Sequence, residues 1–119
     1  MSREKLIGTW KLISLELRSF DGNVTYPFDK YAVGYIKYTH DGYMSVDFMK
    51  AERLKFSSGD ILKGTSEEMT SALELFQFYC GKYEVIDKTV IHHINVSSFP
   101  NWSGVDQERF FEFEGNRLK

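Results

Sequence analysis

One short segment, Thr39–Tyr43, restricts how the strands on either side of it can pair. A two-residue Asp-Gly loop would pair His40 with Tyr43 and place polar and apolar residues on both faces. A three-residue loop, with a type I turn and a left-handed Gly42, pairs Thr39 with Tyr43 and separates the faces. Because a one-residue slip would exchange the two faces, we predict the second register. Its apolar face carries Gly34, Ile36, Tyr38, Met44, Val46 and Phe48.

Similar alternation recurs along most of the chain and predicts an all-β domain with one inserted helix. The helix is expected at about 66–80, where Thr65 and Glu68 form a capping box and Gly81 is a natural stop. Short turns between successive strands favour an antiparallel sheet that meanders and closes on itself. The predicted strands cover 9–19, 33–39, 43–49, 82–86, 89–98 and 105–114.

Length and charge narrow the class of protein. The chain has 119 residues, which suits one domain over 1–119, and 42% of them are hydrophobic. A net charge of −2 argues against nucleic-acid binding. The one cysteine, the lack of an apolar run after the N-terminus and the lack of a membrane-spanning segment predict a cytoplasmic protein that does not enter membranes.

The motif Gly8-Thr9-Trp10 opens the first predicted strand, and with Asp41-Gly42-Tyr43, Tyr79-Cys80-Gly81 and Pro100-Asn101-Trp102 it resembles the bacterial and fungal lipocalin-like domain family. The resemblance implies an up-and-down barrel of about eight strands that is filled by side chains or holds one small ligand. Family chains continue through a further strand or two beyond the position of Lys119. We therefore expect a truncated chain or an open barrel edge, which a second copy would cover in a homodimer.

Two predicted inward faces carry polar side chains among apolar ones. One face holds Val90, His92, Ile94, Val96 and Ser98, and the other holds Val105, Gln107, Arg109, Phe111 and Phe113. On the first strand two assignments of the inward face are possible. Strict alternation from Trp10 puts Glu16 inside, whereas a bulge near Ser14 makes Leu15 and Leu17 core residues.

Arg109 is the most informative of these side chains, because an unpaired buried charge is costly. It holds either the anionic end of a ligand, with Gln107, His92 and Tyr38 nearby, or an internal carboxylate such as Glu16. The apolar lining of a cavity would then consist of Trp10, Ile36, Tyr38, Met44, Phe48, Phe111 and Phe113.

Three functions follow from this reading. The first is binding of a small apolar or anionic molecule, fatty-acid-like or aromatic, without chemistry. The second is an isomerase or cyclase in which His92 or Glu16 acts as general base. The third is a self-filled domain that acts by self-association. Since His92 and His93 face opposite sides of a strand and no phosphate-binding motif occurs, we expect no metal and no cofactor. Without a catalytic motif we favour binding over enzyme activity, and the isomerase or cyclase stays as an alternative.

Overall fold

The computed structural model describes residues 2–119 and is mostly β-sheet. Six strands form one antiparallel sheet in the order β1-β4-β5-β6-β7-β8, and the remaining strands form two separate two-stranded ribbons, β2-β3 and β9-β10. The elements are α1 (Ser2–Leu6), β1 (Gly8–Lys11), β2 (Leu17–Arg18), β3 (Val24–Thr25), β4 (Val33–Tyr38), β5 (Tyr43–Met49), α2 (Ser66–Glu74), β6 (Phe76–Ile86), β7 (Thr89–Ser97), a 3₁₀ turn (Pro100–Trp102), β8 (Asp106–Phe110), β9 (Phe113–Glu114) and β10 (Arg117–Leu118).

The predicted register of the β4–β5 hairpin is confirmed. Tyr38 pairs with Met44, and the Thr39 amide donates to the Tyr43 carbonyl at 2.8 Å. Gly42 adopts a φ of +95°, which is the left-handed geometry that the three-residue loop requires. The predicted apolar face is the inner one, since Tyr38 and Met44 are each 3% exposed.

The inserted helix begins as predicted and ends earlier. The Thr65 hydroxyl accepts from the Glu68 amide, and the Glu68 carboxylate accepts from the Thr65 amide, which completes the capping box. The prediction that the helix extends to about residue 80 is wrong, because α2 ends at Glu74 and β6 starts at Phe76. Pairing of β6 with β5 satisfies the backbone there and overrides the helical spacing of the aromatic residues.

The first strand is shorter than the predicted range 9–19. β1 ends at Lys11, and the chain runs irregularly before it forms the β2–β3 ribbon. Neither strict alternation nor a single bulge describes this stretch. Leu17 is 60% exposed, and Glu16 pairs with Arg18 at 2.8 Å.

A bulge divides β7 into two parts. Cys80 pairs with Val96 and Gly81 pairs with Ile94, so Asn95 has no partner across the ladder. The predicted inward face therefore holds through Ile94 and then switches, which leaves Val96 54% exposed and corrects its predicted placement. The bulge needs a glycine opposite it, because a Cβ on Gly81 would lie 1.9 Å from the His93 carbonyl oxygen.

The inner face of the sheet carries the core, and the sheet is not closed into a barrel. β1 and β8 form its two edges. The ring of Trp10 on β1 lies 5.9 Å from that of Phe113 on β9, so side chains partly bridge the gap that backbone pairing leaves open. A second copy covering an edge remains a prediction.

Among residues 2–119, no helix combines the length and apolar character needed to cross a membrane. The buried core consists of Leu6, Tyr38, Met44, Val46, Tyr79, Tyr83, Val90, Ile94 and Phe111.

Candidate functional site

A buried histidine held between two tyrosines forms the polar centre of the inner face. His92 on β7 is 1% exposed. Its Nε2 lies 2.7 Å from the Tyr38 hydroxyl, and its Nδ1 lies 3.0 Å from the Tyr79 hydroxyl. The three residues come from β4, β6 and β7, and inward alternation on each strand brings them together.

This group has three donor hydrogens but only two contacts in which they can be used. A neutral imidazole carries one N–H and each phenol carries one O–H, while the two contacts use only two of these three hydrogens. Whichever imidazole nitrogen bears the proton, one tyrosine hydroxyl hydrogen is left over. No side chain of residues 3–119 and no described backbone oxygen accepts it. If His92 were protonated, the hydroxyl hydrogens of both tyrosines would lack an acceptor.

The electrostatics of the group follow from its burial. Loss of solvent lowers the pKa of His92 to about 4, and the nearby positive charge of Arg109 acts in the same direction. Burial also raises the pKa of Tyr38 and that of Tyr79, although Arg109 opposes the rise for both. At neutral pH the group is therefore an uncharged set of hydrogen-bonding side chains beside a permanent cation.

Arg109 lies beside this group, next to the Tyr79 hydroxyl, but it is exposed, so the prediction that its charge is buried is wrong. Its guanidinium donates to the Gln107 side-chain oxygen and, at 3.2 Å, to the Glu108 carbonyl. The internal pair with Glu16 does not form, since Glu16 pairs with Arg18, and no carboxylate of residues 2–119 forms an ion pair with Arg109. The predicted neighbours are close: Gln107 stands opposite His92 in the register, and Arg109 stands opposite Val90.

The structure spreads the predicted apolar lining over three places. Met44 and Phe111 belong to the packed core. Trp10 and Phe113 are half-buried and pack on each other, and Phe113 also contacts Phe111 at 5.7 Å between ring centres. Phe48 packs edge-on against Phe28 at 5.0 Å. Half-buried Ile36 packs against the core, as do Trp10, Phe48 and Phe113.

Of the clefts on the surface formed by the described residues, the two best formed are lined by neither His92 nor Arg109. One has a volume of about 300 Å³ and lies around Phe110, Lys88 and the C-terminal residue. The other has a volume of about 200 Å³ and lies where β5 ends and β6 begins. We name it the aromatic cleft, and its lining consists of Phe28, Leu73, Glu74, Phe76, Gln77, Ser98, Phe99 and Trp102.

The aromatic cleft was not predicted from the sequence. Its residues come from a loop, the end of α2, the start of β6 and the 3₁₀ turn, which are distant in the chain. The prediction of a helix through residue 80 also hid the strand geometry at Phe76 and Gln77. The available signal was Phe99-Pro100-Asn101-Trp102, a loop that carries two large aromatic side chains at a chain reversal.

Comparisons with known proteins agree with the resemblance seen in the sequence. A family model described as a lipocalin-like domain matches residues 7–119. The 4'-hydroxy-3'-methoxypropiophenone carrier protein of Aspergillus oryzae is 32% identical to this chain over 84 residues, which is 64% of this chain and 76% of that protein. No solved structure matches the chain.

Proposed function

Since this chain belongs to the lipocalin-like domain family, we propose that it binds a small aromatic molecule through a carbonyl or carboxylate oxygen. The oxygen lies between Arg109 and the Tyr38–His92–Tyr79 group, and the ring packs towards the half-buried Trp10 and Phe113. The protein acts as a cytoplasmic carrier and performs no chemistry on the molecule.

The surplus hydrogen of the buried group is the observation that carries this proposal. A buried donor without an acceptor costs about 1–3 kcal/mol, and Arg109 cannot relieve it because a guanidinium only donates. A ligand oxygen supplies the missing acceptor and also meets an arginine that has no carboxylate partner among the described residues. The polar group and the arginine therefore favour the same kind of atom.

The relative from Aspergillus oryzae supports the class of ligand. Its name describes a carrier of a propiophenone, which is an aromatic ring bearing a ketone. A ketone oxygen is an acceptor without a donor hydrogen, as the surplus hydrogen of the buried group requires. Fatty acids offer the same kind of oxygen on a flexible chain, so octanoate is the natural comparison.

The test compares two ligands that differ in one oxygen. Isothermal titration measures the affinity of the protein for 4'-hydroxy-3'-methoxypropiophenone and for 2-methoxy-4-propylphenol, which lacks the ketone. We expect the ketone to bind at least tenfold more tightly, since an unmatched buried donor costs about 1.4 kcal/mol or more. In Arg109→Leu this preference should shrink, and in the matched control Arg18→Leu it should remain.

Equal affinity for the two ligands in a protein whose aromatic cleft is filled by Leu73→Trp would show that the acceptor plays no part and would overturn the proposed site. An unchanged preference in Arg109→Leu would remove the arginine from it. Tighter binding of octanoate would replace the aromatic ligand with a fatty acid. Conversion of the ketone by the wild-type protein, lost in His92→Gln, would favour the isomerase or cyclase alternative.

A further inference from the structure

The aromatic cleft is separate from the residues proposed above to bind the ligand oxygen, and it has its own chemistry. We propose that it binds one neutral aromatic ring carrying a hydroxyl group, a simple phenol. This second site goes beyond the proposed function, since it shares no lining residue with the proposed site at Arg109 (the arginine site) and favours a hydroxyl group instead of a carbonyl or carboxylate oxygen.

The cleft is open to solvent, and its volume matches that of a small occupant. An apolar cavity of about 150 Å³ accommodates benzene, and drug-sized ligands occupy about 300 Å³ or more. At about 200 Å³ the cleft suits one ring with a short substituent. A long acyl chain or a fused ring system would extend beyond it.

The rings that line the cleft are held in place before any ligand arrives. Trp102 packs edge-on against Phe99 at 5.4 Å and against Tyr79 at 6.1 Å. Next to α2, the guanidinium of Arg53 lies 5.3 Å from the centre of the Phe76 ring. The same group donates to the Ala72 carbonyl at 2.7 Å. Since little side-chain freedom remains to be lost, an added ring gains edge and face contacts at low entropic cost.

The polar side chains of the cleft favour a neutral hydroxyl group. The half-buried Gln77 side chain has no hydrogen-bond partner among residues 3–119 and offers both a donor and an acceptor. A phenolic O–H can donate to its oxygen and accept from its nitrogen. Glu74 adds a carboxylate to the lining, and its charge disfavours a carboxylate or phenolate ligand.

Titration with 4-ethylphenol, followed by the indole N–H signals of uniformly labelled protein in NMR, tests the site. The signal of Trp102 should shift on binding, whereas that of Trp10 should remain. Leu73→Trp fills the cleft from the exposed side of α2 and should weaken binding at least tenfold. Met69→Trp is the matched control, because Met69 is also exposed on α2 but does not line the cleft, and it should bind 4-ethylphenol as the wild type does.

Two ligand comparisons test the roles of Gln77 and Glu74 in recognising a neutral hydroxyl group. 4-Ethylbenzoate should bind at least tenfold more weakly than 4-ethylphenol, and Gln77→Leu should weaken 4-ethylphenol without weakening ethylbenzene. Undiminished binding in Leu73→Trp, or equal binding of the benzoate, would overturn the proposal. If the Trp102 signal no longer responded to 4-ethylphenol in Arg109→Leu, the cleft and the arginine site would be one site. That result would overturn the proposal of a second site without contradicting the proposed carrier function.

Discussion

His92 and His93 are consecutive residues of one strand, yet their surroundings are opposite. His92 is 1% exposed and meets two neutral tyrosine hydroxyls on the inner face. His93 lies on the outer face between two carboxylates, 2.7 Å from Asp106 and 2.9 Å from Glu84. Burial lowers the pKa of His92 to about 4, whereas hydrogen bonds to the carboxylates raise the pKa of His93.

The comparison shows that strand alternation alone can give identical side chains different chemistry. The inner histidine stays neutral and needs its hydrogen-bond partners, because water does not reach it. The outer histidine is partly solvated, so water replaces a lost partner at small cost. The inner face is therefore where a substitution or a change of pH acts most strongly on stability.

Replacing His92 with alanine should have the largest effect. It removes a packed ring and leaves the hydroxyls of Tyr38 and Tyr79 without their shared partner. We expect the free energy of unfolding to fall by about 4 kcal/mol, measured by urea denaturation. His92→Gln, which keeps a donor and an acceptor, should lose less. A loss below about 1 kcal/mol in His92→Ala would contradict the packing described for the inner face.

Acidification should produce the next largest effect through the same residue. The folded pKa of about 4 lies below the value of 6.5 for an unperturbed histidine. The unfolded chain therefore binds the proton more readily, and the stability due to neutral His92 is present above pH 6.5 and lost as the pH falls towards 4. Since one pKa unit corresponds to about 1.4 kcal/mol, the loss reaches up to about 3 kcal/mol.

Urea denaturation between pH 7 and pH 4, carried out on the wild type and on His92→Gln, isolates this contribution. Titration of exposed carboxylates is common to both proteins and cancels in the difference. The variant should show the flatter dependence on pH. Parallel curves would mean that His92 does not supply the acid sensitivity.

Replacing His93 with glutamine should have the smallest effect, a change of less than about 1 kcal/mol. The sign of its pH dependence is the reverse of that of His92. A raised pKa means that its contribution is present below the ordinary pKa of histidine and is lost as the pH rises through the folded pKa. NMR titration of the two imidazoles checks the order directly, and a higher pKa for His92 than for His93 would reverse the comparison.

The sequence predicted local features well where one strand or turn decided them. The register around Gly42, the capping box of Thr65 and Glu68, and the inward placement of His92 all follow from alternation or from contacts between near neighbours. Periodicity failed where distant pairing competed with it. Aromatic residues after Glu74 have helical spacing, but β5 supplies hydrogen-bond partners that hold them in β6.

The candidate site was predictable in part. Alternation placed His92, Gln107 and Arg109 near one another, and the register confirms that proximity. It could not show that Tyr79 belongs to the same group, because the predicted helix included that residue. It also could not assign Glu16, since the partner of Glu16 depends on where the first strand ends.

The sequence by itself determined the class of fold, the hairpin register and the inward face of β7 up to Ile94, because alternating polarity and turn residues act over short distances. Only the tertiary structure decided where α2 gives way to a strand, which side chains surround His92, and whether the sheet closes. These outcomes depend on pairing between segments far apart in the chain, such as β5 with β6 and β7 with β8. Even the switch of faces at Asn95 depends on such pairing, because a bulge is defined by the strand opposite.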